Sequence, residues 1–257
     1  TRRCRLTGIK SDCPFPDGGQ DRHDSEIPSK ARDALAMKRC AIVAFFDFDQ
    51  TLIEVESGHM GIRMLRERGM LPLGYFLKVW SANILYQWQW LSEAGMARVL
   101  LTYYRHRHLS DFEATADDFY LAYLKPHLAP RILDRLEEHR RAGHLLVLIS
   151  GSVRYMLEPV VCDLGFDRLF CTELEEGPDG MLTGRSRGAI CVDRAKQDCA
   201  NHFAQEAGVD LKASFAYGNH PADIPLLETV GHPHVVEPTR ALARIAARRS
   251  WPTLSFR

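Results

Sequence analysis

The sequence predicts an α/β protein: a Rossmann-like, doubly wound parallel sheet with a helical cap inserted after its first strand. Three observations predict it. Residues 41–46, AIVAFF, form an unbroken apolar run that stops at Asp47, as a parallel strand buried on both faces does where it leaves the sheet. Similar runs recur at 144–149 and 213–217, separated by stretches with helical character, the alternation that builds parallel sheets. Each run ends in a polar group, DFDQT, SGS or GNHPAD, and in such sheets ligands bind outside the carboxyl ends of the strands.

The bulk numbers bound the rest. A chain of 257 residues suits one α/β domain with an insertion. Apolar content of 46% and charged content of 26% are those of an ordinary globular protein. Lys+Arg and Asp+Glu both total 33, which argues against nucleic acid as a partner. The seven cysteines (Cys4, Cys13, Cys40, Cys162, Cys171, Cys191, Cys199) show no CxxC pair, so reduced thiols and a cytoplasmic location are expected. No secretory leader is read in roughly the first thirty residues. No apolar stretch of about eighteen residues exists, so no transmembrane segment is expected.

Residues 1–39 are polar and rich in Pro, Gly and Asp; they read as a disordered N-terminal extension, with a short helix at 29–39. The first strand is expected at 40–47. Residues 54–130 look helical throughout, with 57–130 forming the cap and 40–56 plus 131–257 the catalytic core. Within the cap, Leu77, Trp80, Ile84, Trp88 and Leu91 fall on one stripe, expected to be the cap's own core. Val79, Asn83, Tyr86 and Trp90 form a second face. Apolar residues on both faces imply burial all round, ahead of contact with a substrate tail or a membrane surface. An amphipathic helix at 130–143 is stopped by Gly143. Strand 144–149 follows, then a helix from 153 that ends near Pro159, and a strand at 168–173. Pro178-Asp179-Gly180 turns a hairpin. A helix at 193–207, strands at 213–217 and 234–237, and a basic C-terminal helix complete the chain.

The strand ends carry the chemistry. Side chains alternate along a strand, so Asp47 and Asp49 start on one face and repel unless a cation or a proton compensates. Asp47 is a candidate nucleophile toward phosphorus, and its attack on a phosphate dianion calls for Mg²⁺. Asp49 is the candidate proton donor to the leaving group and then the base for water; that role needs a raised pKa. Ser150 and the Gly151 amide stand where a helix N-terminus holds phosphate oxygens. Lys196 is placed to neutralise phosphate and nucleophile together, with Arg194 its rival. Asp223 either binds the metal or anchors Lys196.

Taken singly, Ser150 reads as a helix cap and Lys196 as a surface lysine; their order and convergence give them weight. A calcium loop needs Gly where Leu52 stands, and no GxxxxGK[ST] is present. His232 and His234 lack further ligands and read as structural. His220 is of interest only because it adjoins Asn219.

The ordered set Asp47-Phe48-Asp49-Gln50-Thr51, Ser150, Lys196 and Gly218-x-x-x-x-Asp223 resembles the four motifs of the haloacid dehalogenase superfamily. The long helical insert resembles its phosphoserine-phosphatase-like branch. The resemblance implies that Asp47 is phosphorylated and that Asp49 is the acid/base whose main-chain carbonyl also binds Mg²⁺. It puts Ser150, Gly151 and Thr51 on the phosphate, and Glu56 where an acid grips the substrate's amine. The implied metal set is Asp47, Asp49, Asn219 and Asp223. One departure stands out: the family has Gly-Asp where this chain has Gly218-Asn219, and an uncharged amide weakens metal binding. The expected substrate is a small phosphorylated metabolite of the phosphoserine type. The alternatives are a lipid-linked phosphate reached through membrane-surface contact of the cap, and a catalytically silent phosphate-binding protein. The sequence assigns no oligomeric state.

Overall fold

The computed structural model describes residues 41–88 and 90–257. The expected N-terminal extension and its short helix lie outside the described residues. The strands are β1 (Val43–Phe46), β2 (Leu145–Val153), β3 (Arg168–Thr172), β4 (Leu174–Glu176), β5 (Leu182–Ser186), β6 (Phe215–Gly218), β7 (His232–Val236) and β8 (Thr253–Leu254). Six form one sheet, in the order β3-β2-β1-β6-β7-β8, and every pairing in it is parallel. β1 lies inside the sheet, with Phe46 opposite Leu148 on one side and Tyr217 on the other. All four β1 residues are buried, so the run shows no alternation. Phe46, Leu148 and Tyr217 belong to one core; Phe45, Ile149, Ala216 and Phe203 belong to the core on the opposite face.

The hairpin at Pro178–Gly180 is present as the antiparallel pair β4–β5. β8, too short to show a pattern, was not foreseen. The helix expected to stop at Pro159 runs on to Leu164. Pro159 removes one backbone donor, yet Leu157, Val160 and Val161 are buried on both sides of it, and that burial outweighs the missing bond. Of the cysteines, Cys171 and Cys191 carry thiols.

Residues 54–130 are not one continuous helical run. They break into α1 (Ser57–Glu67), α2 (Leu73–Gln87), α3 (Glu93–Leu101), α4 (Leu109–Glu113) and α5 (Ala116–Phe119), with tighter and wider turns between. Pro72 fixes the entry to α2, and Ser92 caps α3 by accepting a hydrogen bond from the Gly95 amide. The insert leaves and returns side by side: Ile53 bridges Leu128, Glu54 N donates to His127 O at 2.8 Å, and Ala129 N donates to Leu52 O at 3.0 Å. α6 (Pro130–Arg141), α7 (Arg154–Leu164), α8 (Arg194–Ala207), α9 (Ile224–Leu227) and α10 (Arg240–Arg249) belong to the sheet layer.

One expectation about the cap is reversed. The stripe read as its core faces outward: Leu77, Trp80 and Trp88 are exposed, while Val79 and Ala82 on the other side of α2 are buried. Trp90, just past the helix, is exposed too. Among the described residues no helix is long and apolar enough to cross a membrane.

Candidate active site

The carboxyl ends of β1, β2 and β6 meet beneath the cap. Between them lies a cavity of about 250 Å³, lined by Asp47, Asp49, Gly151, Ser152, Lys196, Asn219 and Asp223 on the sheet side. The cap side supplies Tyr75, Asn83, Tyr86, Tyr103 and Phe112. A wider cleft lined by Phe215, His232 and Trp251 sits at the opposite ends of β6 and β7, away from these carboxylates.

Lys196, in the first turn of α8, is buried and bridges two acids. Its Nζ donates to Asp47 Oδ1 at 2.6 Å and to Asp223 Oδ1 at 2.7 Å. Asp223 Oδ2 accepts from the Asn219 and His220 amides, both at 3.0 Å. Both oxygens of Asp223 are therefore engaged within the protein, one of them by Lys196. Asp47 Oδ2 accepts from Thr51 Oγ1 at 3.1 Å, so Thr51 orients the Asp47 carboxylate and does not line the cavity. Burial pushes the Asp47 carboxyl up to about 7 against the pull of Lys196. Burial also works against the Lys196 charge, but Asp223 and Asp47 together raise its pKa.

Asp49 is held on both oxygens. The Ser57 amide donates to Oδ1 at 2.5 Å and Ser152 Oγ donates to Oδ2 at 2.8 Å. Burial raises its pKa, opposed by these donors; a raised pKa is what a proton donor needs. Ser57 and Ser152 were not singled out in the sequence. They come from two different segments, and only folding brings their hydroxyls to 2.7 Å from each other.

Ser150 is fully buried and accepts a hydrogen bond from the Ser152 amide at 3.1 Å. β2 shifts register against β3 between Ile149 and Val153, and this irregularity turns Gly151 and Ser152, rather than Ser150, onto the cavity wall. Gly151 is packed against the chain beyond: a Cβ there would lie 2.8 Å from Val192.

The turn after β1 (Phe48–Leu52) holds Gln50 at φ 53°, a left-handed conformation uncommon outside glycine. Its side chain explains the strain. Gln50 Nε2 donates to Glu56 Oε1 at 2.9 Å, and Gln50 Oε1 accepts from Asn219 Nδ2 at 3.0 Å. Glu56 also lies 3.1 Å from His59, and burial raises its pKa. At the mouth, the Tyr86 hydroxyl donates to Glu93 and lies 3.3 Å from His220 Nε2, so cap and sheet touch there.

The donor chemistry suits a small hard cation. Among the described residues no three His, Cys, Asp or Glu side chains are clustered to hold a metal. An oxygen set of the Asp47 carboxylate, the Asp49 main-chain carbonyl and the Asn219 amide does not need three such side chains. With its NH₂ given to Gln50, the Asn219 amide keeps its carbonyl oxygen as the acceptor end, and oxygen donors are those Mg²⁺ takes.

A parallel sheet with paired acids after β1, a buried lysine bridging to a further acid, and a helical cap over the cavity defines a hydrolase built for phosphoryl transfer. The chain belongs to the haloacid dehalogenase-like hydrolases, whose family model matches residues 44–228. It is 29% identical over 216 residues to the inhibition of morphological differentiation protein of Streptomyces azureus, covering 83% of this chain and 78% of that one. It is 27% identical to a histidinol-phosphatase of Neisseria meningitidis, covering 84% and 99%, and 25% identical to a phosphoserine phosphatase of Mycobacterium tuberculosis, covering 96% and 82%. In fold it is similar to a protein of unknown function from Bordetella pertussis, with TM-score 0.75, 24% identity and coverage of 84% and 99%. It is also similar in fold to a substrate-bound phosphoserine phosphatase, with TM-score 0.63, 18% identity and coverage of 84% and 94%.

Proposed function

We propose that the chain hydrolyses small phosphate monoesters in two steps through an aspartyl-phosphate on Asp47, with Mg²⁺. The observation that carries this reading is the buried Lys196 bridge between Asp47 and Asp223. Three ionisable groups are kept out of water beside the cavity, an arrangement that functional sites use to tune reactivity.

In the first step an Asp47 oxygen attacks phosphorus in line, and the ester P–O bond breaks. The leaving oxygen takes its proton from Asp49. In the second step Asp49, now a carboxylate, takes a proton from water, whose oxygen attacks the same phosphorus. The acyl-phosphate bond breaks, releasing phosphate and restoring Asp47. Lys196 neutralises charge throughout and the Gly151 and Ser152 segment receives phosphate oxygens. Asp47, Asp49 and Asn219 would hold Mg²⁺, which when bound would supply the charge neutralisation that attack on a phosphate dianion calls for.

The substrate class we favour is an amine-bearing phosphomonoester. Glu56, beside the cavity and steadied by Gln50, fits an ammonium group. Relatives named for histidinol phosphate and phosphoserine support the same class, since both compounds carry an amine. A cytoplasmic location belongs to this reading, and the Cys171 and Cys191 thiols fit it.

The test is turnover of para-nitrophenyl phosphate by the purified chain with Mg²⁺, followed by a panel of amino-alcohol and sugar phosphates. Activity that disappears in Asp47→Asn supports the reading. Absence of turnover across the panel returns the chain to the class of silent phosphate-binding proteins, the reading that Asn219 motivates.

A further inference from the structure

We propose that the cap docks on the surface of an anionic phospholipid bilayer through the outer face of α2. The inference does not depend on the reaction proposed above. Leu73, Leu77, Trp80, Ile84 and Trp88 recur at helical spacing and lie along one side of the helix and its end. Leu73 is 72% exposed, Trp80 57%, Trp88 63% and Trp90 74%. Phe76, Leu85 and Met70 widen the exposed row. The opposite side is already occupied, by burial of Val79 and Ala82 and by Tyr75, Asn83 and Tyr86 at the cavity wall. Of the four tryptophans in the chain, Trp80, Trp88 and Trp90 stand on this surface. A contiguous apolar patch of this kind marks a contact surface.

Two observations select a bilayer as its occupant. The first is charge. From Arg63 to Gln87 the basic residues are Arg63, Arg66, Arg68 and Lys78, and the only acid is Glu67, in a chain that is neutral as a whole. Glu67 is paired with Arg63. Arg66 and Arg68 immediately precede the exposed Met70 and Leu73. Basic residues beside an apolar helical face are what anionic headgroups attract.

The second observation is shape and residue type. Indole rings favour the headgroup level, with an apolar body and a polar N–H. The row is one helix wide and roughly 22 Å long, a shape that lies flat on a lipid surface, where each inserted side chain contributes separately.

Co-sedimentation with phosphatidylcholine vesicles, with and without phosphatidylglycerol, tests this. We expect binding to the phosphatidylglycerol vesicles, a blue shift of tryptophan fluorescence, and weakening at high salt. Trp80→Ser with Trp88→Ser should reduce binding by about tenfold or more and leave the circular dichroism melt in place; if the pair does not fold, Trp88→Ser alone, at the helix end, is used. No binding at any composition, or binding that the variants keep, overturns the proposal. So does a dimer in light scattering that dissociates in the same variants, which assigns the row to a second copy.

Discussion

Gln50 Oε1 accepts a hydrogen bond from Asn219 Nδ2 at 3.0 Å, and the same Gln50 amide donates its other end to Glu56. One side chain thus links the proposed metal ligand to the proposed substrate acid. Asn219→Asp removes the donor and sets a carboxylate against the Gln50 oxygen. Turning Gln50 over restores that contact but faces Glu56 with an acceptor. We expect the variant to lower the Mg²⁺ concentration for half-maximal activity, through its added charge, and to raise KM for amine-bearing substrates. Parallel Mg²⁺ and substrate titrations check both; an unchanged Mg²⁺ requirement removes Asn219 from the ligand set.

Replacing Lys196 by Met leaves Asp47 and Asp223 buried without their cation. Breaking a buried pair in this way costs about 3–5 kcal/mol at neutral pH. The deficit should shrink in acid, because protonation discharges the stranded carboxyls. Urea unfolding of both proteins at two pH values measures it. A deficit independent of pH would mean that Lys196 acts through packing alone.

Gly218→Ala places a methyl group 2.7 Å from the Asp223 carboxylate. Asp223 must then shift from Lys196 and from the two amides it holds. We expect kcat to fall by at least about tenfold, as for other displaced catalytic groups, with a stability loss of about 1–3 kcal/mol. Steady-state kinetics beside a thermal melt separates the two; full activity would show that the Asp223 position does not matter.

His139 is a buried base in the core, 2.8 Å from the Tyr217 hydroxyl and 2.8 Å from the His144 ring. Burial lowers its pKa to about 4, with His144 adding to the effect. The unfolded chain takes up this proton near pH 6.5, whereas the folded chain does so only near 4. Between those values the unfolded state binds more protons, so stability falls as the pH drops through this window. We expect a loss of about 2 kcal/mol after allowance for partial solvation. His139→Gln keeps a hydrogen-bonding side chain and should flatten the slope; denaturant midpoints from pH 7 to pH 4 provide the measurement.

The sheet and its acids were legible because they are local. The run before Asp47, and Lys196 early in its helix, announce themselves within a few residues. Ser57 and Ser152 were not legible, because nothing near either residue points to Asp49. Gln50 was hidden for a different reason: its value lies in a left-handed backbone that favours other residues. The α2 stripe shows the limit of periodicity. Spacing says which residues share a side, not which side meets protein, and with apolar residues on both sides the outward orientation of Trp80 and Trp88 could not be read.

The hydrogen bonds that join Leu52 to Ala129 and Glu54 to His127 make the insert a natural unit for grafting. Its seam is not where the backbone crosses, however. The Ser57 amide reaches back to Asp49, so a chimera cut at Glu54 leaves the placing of that donor to the incoming chain, whereas one cut beyond Gly58 retains it. Recombination among such proteins can therefore trade lids freely only if the first turn of α1 travels with the floor.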